Sequence, residues 1–218
     1  MRAGRLAAVC FLLVAVAWPA GAEEPKAGTV MPDLARIQAD VEHLAGRALK
    51  GRGAWEDRKA AAELVAKGFA AAGLQRVPGL STMAVDHDVP PPLEKARNVV
   101  AWLPGTKAGA TKDAPGPYVI LSAHYDHLGA VMEMRRTGDV VESTFRVYHG
   151  ADDNASGVAA LIEIARVLGA EAAAGRRLER SVLFVAFDLE EQNLAVAGRE
   201  HPAESGGDHA LADAALAG

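Results

Sequence analysis

Apolar residues recur along this chain at two distinct periods, and the change from one to the other divides it. From Asp33 to Leu44, the residues Leu34, Ile37, Val41 and Leu44 fall on one helical face, with Asp33 placed to cap the helix. A second helix is predicted from about Asp57. Its apolar face is Ala61, Leu64, Val65, Phe69 and Ala72, and Gly73 closes it. Between the two, Gly51 and Gly53 flank Arg52 in a loop, and Pro90 to Pro92 break the chain further on. Beyond that break the period shortens. Asn98 to Leu103 (NVVAWL) and Tyr118 to Ala123 (YVILSA) read as strands, and a further strand is predicted over Val140 to Tyr148. Ala155 to Leu168 reads as a helix, with Val158, Leu161, Ile162, Ala165 and Leu168 on one face and Asn154 as its cap. Ser181 to Phe187 (SVLFVAF) is an unbroken apolar run, as suits a strand covered on both faces.

Strands followed by a helix and a further strand predict an α/β fold, doubly wound, with a largely parallel or mixed sheet between helix layers, incomplete at the C-terminal end. Four regions follow: a leader over 1–22, a helical lead-in and linker over 23–96, the front part of the α/β domain over 97–192, and a tail over 193–218. The tail is rich in Ala, Gly, Asp and Glu, with Val196 its only β-branched residue, and no strand can be read in it.

Composition changes the picture in three ways. Arg2 and Arg5, the apolar run Ala7 to Trp18 and the small residues Ala20-Gly21-Ala22 form a secretory signal with cleavage expected near Ala22. This predicts a secreted or periplasmic protein with no stable membrane anchor once the signal is removed. The whole chain has 23 Lys and Arg against 28 Asp and Glu. Loss of Arg2 and Arg5 leaves 21 against 28, a net charge of −7, which argues against nucleic acid as a partner. The one cysteine, Cys10, lies inside the signal, so any metal in the mature chain must be held by His, Asp and Glu.

Three groups of such residues each follow a predicted strand: His124-Tyr125-Asp126-His127, Asp152-Asp153-Asn154 and Glu190-Glu191. In open α/β sheets, ligands bind beyond the carboxyl ends of the strands, so the three groups are expected to converge on one edge. Singly, each has an ordinary explanation as a helix cap or a solvated charge pair; together and in this order they point to a metal site. Zinc accepts imidazole and carboxylate ligands, and a carboxylate can bridge two ions. One of two adjacent glutamates can ligate while the other takes a proton from water. Asp126, two residues beyond His124, can orient its imidazole. His43, His87, His127 and His149 read as surface or supporting histidines.

The stretches ARNVVAWLPGT, YVILSAHYDHLG, YHGADDNASGVAALIEIARVL and RSVLFVAFDLEEQ resemble the co-catalytic di-zinc exopeptidases that include secreted bacterial leucyl aminopeptidases. Relatives of that family include glutamate carboxypeptidase, the transferrin receptor ectodomain and glutaminyl cyclases. The resemblance covers roughly residues 37 to 192, taking in the helical lead-in. It implies that His124 binds one zinc, Asp152 bridges both, Glu191 binds the other, Glu190 is the general base and Asp126 orients His124. It also implies a cis peptide between Asp152 and Asp153, a peptide substrate, and removal of N-terminal residues by metal-activated water.

The sequence departs from the family after the glutamate pair. Members continue with a Gly-Leu-x-Gly-Ser-like turn, a helix and another strand that carries a carboxylate ligand, with a final histidine ligand further on. Here Gln192-Asn193-Leu194-Ala195 follow, which leads to the expectation of a C-terminally truncated member with impaired catalysis, produced by a shifted frame or early stop near residue 192. His201, His209, Asp208 and Asp213 are the tail's ligand types, and no predicted strand fixes their position. Two rival readings stay open: a pseudoenzyme or binding module without catalysis, and a glutaminyl cyclase-like acyl transferase. Substrate side-chain preference and oligomeric state are not legible.

Overall fold

The computed structural model describes residues 28–89, 93, 95–107 and 118–191. The leader, the linker prolines and the tail from Gln192 onward, including His201, Asp208, His209 and Asp213, lie outside the described residues.

The lead-in forms helices α1 (Leu34–Leu44) and α2 (Trp55–Ala71). Asp33 caps α1 as expected, its Oδ1 accepting the Ala35 N–H at 2.9 Å. Gly73 takes φ of +77° just past α2, the left-handed conformation that ends many helices and that glycine adopts without strain. Strand β1 (Ala84–His87) follows, then β2 (Ala96–Leu103) and β3 (Tyr118–His124). Strands β4 (Gly129–Thr137) and β5 (Val140–Tyr148) form a hairpin, α3 spans Ser156–Ala173, and β6 is Ser181–Phe187.

The main sheet runs β1-β2-β6-β3. Strand β6 pairs parallel with β3 and antiparallel with β2, so the sheet is mixed. Strand β1 has only four residues, too short for a periodic signal, and only the structure reveals it.

Alternation along β2 and β6 sorts the core into two sides. Val99, Ala101, Val182, Phe184 and Ala186 face the helices, where they meet Val65 and Phe69 of α2 and Val158, Leu161 and Ala165 of α3. Val100, Trp102, Leu183 and Val185 face the other way, packed with Val77 and Leu80. Among the described residues all three long helices therefore lie on one face of the sheet. The opposite face is covered by the irregular segment that follows α2, where a second helix layer was expected.

Strand β5 is not part of the main sheet. Among the described residues it pairs with β4 alone, in continuous register from Gly129 opposite Tyr148 to Thr137 opposite Val140. The Asp152-Asp153-Asn154 group is thus delivered from a separate hairpin, through a loop and an irregular turn at Ala151–Ala155, and not from a neighbouring sheet strand.

Candidate metal centre

Strands β3 and β6 are adjacent and parallel, with His124 opposite Phe187 at their carboxyl ends. Their extensions emerge side by side. The Tyr125 N–H continues the ladder by donating to Phe187 O at 2.9 Å. The turn after β6 is gripped from below by Asp126, whose two carboxylate oxygens accept the Glu190 and Glu191 N–H groups, both at 3.1 Å. Leu189 adopts φ of +64° in this turn, a strained conformation for a leucine, and its side chain is buried. Burial pushes the Asp126 carboxyl up to about 6, against the lowering effect of those backbone donors.

Asp126 stands 3.6 Å from His124 Nδ1, close to the orienting position expected of it but beyond direct hydrogen-bond reach. Its direct bonds are to the glutamate pair. A role in shaping that turn is a contribution that sequence spacing does not reveal.

The third segment arrives through Arg52, a residue with no exposed surface. Its guanidinium donates to Tyr125 O at 2.7 Å, Leu44 O at 2.5 Å, His149 O at 2.9 Å and Gly150 O at 2.8 Å. It thereby ties the end of α1 and the strand carrying His124 to the loop that carries the Asp-Asp-Asn group. The flanking glycines let the backbone come close. A Cβ on Gly51 would lie 2.1 Å from Tyr148 O, and one on Gly53 2.6 Å from the Gly129 Cα. An arginine between two glycines was visible in the sequence, but its four acceptors lie on three distant segments.

These tethers bring Asp153, not Asp152, to His124. Asp153 Oδ1 is 3.1 Å from His124 Nε2. The three residues whose ligand atoms gather within 4.8 Å of one another are His124, Asp153 and Glu191. Asp152, the expected bridge, is absent from that group, and its carbonyl accepts the Ser156 hydroxyl at 2.8 Å. The cis peptide likewise falls between Asp153 and Asn154, one residue later than the Asp152–Asp153 bond expected. Asn154 Oδ1 accepts the Gly157 N–H at 3.1 Å and so serves the start of α3, as anticipated.

Glu190 projects at the rim, 61% exposed, with its Oε2 3.8 Å from His124 Nε2. Glu191 is held inward by His127, whose Nδ1 lies 2.6 Å from its Oε1. His127 is therefore a buried partner of the glutamate pair and not a surface histidine. A cleft of about 470 Å³ opens beside these groups, lined by Ser122, His124, Asn154, Phe187 and Glu190 among others.

The donor set fits a divalent cation of the zinc type. Tetrahedral ligands about 2.0–2.1 Å from such an ion lie about 3.3 Å apart, close to the 3.1 Å between His124 and Asp153. Imidazole nitrogen and carboxylate oxygen are both zinc ligands, and catalytic zinc sites use three protein ligands.

Three structures illustrate the fold's company. The chain matches glutaminyl cyclase of Porphyromonas gingivalis with a TM-score of 0.50 at 20% identity, over 73% of this chain and 46% of that one. It matches LapB of Legionella pneumophila with a TM-score of 0.50 at 23% identity, over 77% and 38%. It matches glutaminyl cyclase of Fimbriiglobus ruber with a TM-score of 0.50 at 20% identity, over 82% and 51%. The chain thus spans about half or less of the length of each, and the likeness is one of fold. No curated protein matches it. The model of peptidase family M28 matches residues 98–212, a stretch that contains all three segments with candidate ligands and more than half of the chain. The chain belongs to peptidase family M28.

Proposed function

We propose that this chain is a zinc-dependent exopeptidase of aminopeptidase type, acting on the N-terminal bond of a peptide. The observation that carries the reading is the meeting of His124, Asp153 and Glu191 beside the exposed carboxylate of Glu190. His124, Asp153 and Glu191 would hold zinc, which when bound polarises a carbonyl and lowers the pKa of water. Glu190, exposed at the cleft rim, would take the proton from the attacking water and return it to the leaving amine. Asp126 and His127 keep the glutamate pair in place. Among the described residues three donors suffice for one ion. A second ion, as the family resemblance implies, needs donors beyond them.

Glu190→Gln tests the assignment. It should lower turnover of an aminoacyl nitroanilide by about 10²–10⁴-fold while leaving zinc content unchanged. Undiminished turnover would remove Glu190 as the base. A chain that binds zinc and hydrolyses nothing would instead be the binding module that the sequence also allows.

Two of the structures similar in fold are glutaminyl cyclases, and a set of three donors suits a single zinc. This favours a second reading, acyl transfer within an N-terminal glutamine. Pyroglutamate formation without peptide hydrolysis would select it. Export to the periplasm or medium belongs to the same proposal, and a mature N-terminus at Glu23 would support it.

A further inference from the structure

The β4–β5 hairpin stands apart from the sheet, and its side chains are sorted. Register places Met132 opposite Phe145, Met134 opposite Ser143 and Arg136 opposite Val141. Because side chains alternate along a strand, Met132, Met134, Val141, Phe145 and Val147 share one face. Glu133, Arg135, Glu142, Thr144 and Arg146 share the other together with Val131, Val140 and Tyr148, while Arg136 and Ser143 are the polar members of the first. The apolar face is open to solvent: Met134 is 67% exposed and Phe145 79%. A two-stranded ribbon with a bare apolar face is marginal in water, and a patch of this kind marks an interaction surface. Its edges also lack the lysines and prolines that commonly keep exposed strands from pairing.

Strand β5 is self-complementary. The turn at Gly138-Asp139 has two residues, so the flanking pair Thr137 and Val140 is hydrogen-bonded. The N–H and C=O groups of Val140, Glu142, Thr144 and Arg146 then point to β4, and those of Val141, Ser143, Phe145 and Val147 point outward. Consider a second β5 laid antiparallel along that edge, with Thr144 opposite Thr144 of the second copy. Val141 then meets Val147 and Ser143 meets Phe145 through their outward groups, which keeps the apolar face continuous. On the other face Glu142 meets Arg146, twice by symmetry. These are non-hydrogen-bonded pairs, in which side chains approach most closely. The equivalent pairing of two β4 strands about Met134 would set Met132 against Arg136 on the apolar face, so β5 is the better edge. Arg146 is 64% exposed in its side chain and reaches Glu133 only at 3.5 Å, which leaves donors for a second acid.

We propose that this chain self-associates as a twofold dimer through β5–β5 edge pairing centred on Thr144, giving a four-stranded sheet with one shared apolar face. The contact is isologous, so each subunit uses the same patch. It needs neither the metal centre nor peptidase activity.

Sedimentation of the full chain tests the proposal. Unmodified protein should be a dimer at its highest soluble concentration. Glu142→Arg and Arg146→Glu each place like charges opposite one another and should each weaken association at least about tenfold, the effect of roughly 1.4 kcal/mol. An equimolar mixture of these two variants should dimerise again, because in the mixed pair both contacts are opposite in charge. Any defect that each substitution causes within its own hairpin persists in the mixture, so restoration isolates the contact between subunits. Cys10 is the native cysteine of the chain, so in a Cys10→Ser background Thr144→Cys should give one covalent dimer on mild oxidation, closed across a non-hydrogen-bonded pair of suitable separation. A monomeric unmodified chain would overturn the proposal. So would a dimer indifferent to both charge reversals, or single variants that stay monomeric when mixed.

Discussion

Replacing Arg52 by methionine removes the guanidinium and keeps most of the volume of its stem. In the native chain four carbonyls accept from it at 2.5–2.9 Å. One of them, Gly150 O, also accepts the Ala155 N–H at 3.2 Å and stays partly satisfied. The carbonyls of Leu44, Tyr125 and His149 lose a charged donor. A buried acceptor left unpaired costs about 1–3 kcal/mol. Taking the low end for three gives about 3 kcal/mol, since water entering the vacated space can satisfy some of them. Burial opposes the Arg52 cation more than its attraction to Asp126, Asp153 and Glu191 favours it, so the charge itself adds no further loss. We therefore expect Arg52→Met to destabilise the fold by about 3 kcal/mol, a large share of what a domain usually has.

Arg52→Lys separates charge from shape. An ammonium is a point donor on a flexible stem and cannot serve four carbonyls arrayed around a planar fork. We expect it to recover only part of the loss, leaving a deficit of about 2 kcal/mol. Urea unfolding of the apo chain, followed by far-ultraviolet circular dichroism, reads both. With a slope of about 1–3 kcal/mol per molar, the methionine variant's midpoint should fall by at least about 1 M. A loss below about 1 kcal/mol in Arg52→Met would refute the reasoning, because the four bonds would then contribute no more than one ordinary hydrogen bond.

Other outcomes follow from the same geometry. Asp153→Asn should weaken zinc binding by at least about 100-fold, whereas Asp152→Asn should change it less than about threefold; calorimetric titration distinguishes them, and the reverse order would restore Asp152 as the ligand. Gly51→Ala should destabilise by more than about 2 kcal/mol, since it combines a positive φ with a Cβ 2.1 Å from Tyr148 O; a thermal melt within error of the parent would contradict the close packing. Glu171 accepts the Val30 N–H and pairs with Arg176, which holds its carboxyl down at about 2. Because the folded value lies below the ordinary 4.5, this contact is fully present above 4.5 and is lost as pH falls toward 2. Exchange of the Val30 amide, corrected for its intrinsic rate, should accelerate over that window and be already fast in Glu171→Gln at neutral pH.

What could be read from the sequence was whatever has a period or a fixed offset. Helices α1 and α2, strand β6 and the Asp33 cap each declare themselves within a few residues. Strand β5 was legible, but its sheet was not, because alternation says nothing about which strand lies alongside. Its partner β4 passed unnoticed: Glu133, Arg135 and Arg136 interrupt the apolar positions, as suits a ribbon with solvent on both sides. The choice between Asp152 and Asp153 has a similar cause. Adjacent side chains diverge, and the irregular turn at Ala151–Ala155, with Asp153 near φ −115° and ψ 99°, decides which one meets His124. Local pattern identified a carboxylate group but could not select the oxygen.

The charges around the site fall into two classes, and the division bears on the reading of the centre. Buried acids are used for building. Asp188 lies 2.9 Å from Arg58 Nε and accepts the Arg97 and Leu189 N–H groups, while Asp126 caps the glutamate turn. Buried Arg52 does the corresponding work on carbonyls. The acids that face the cleft, Asp153, Glu190 and Glu191, form close ion pairs among the described residues with His124 and His127, while Arg52 acts on Asp153 and Glu191 from further off. A fold that anchors its inner acids through Arg58 and backbone N–H groups, yet gathers three outer acids beside His124 and His127, concentrates negative charge where a cation would sit. Neutral packing or a structural ion pair would not need that concentration. A metal ion would, and the tethers through Arg52 and Asp126 would hold the candidate ligands near their places before it arrives.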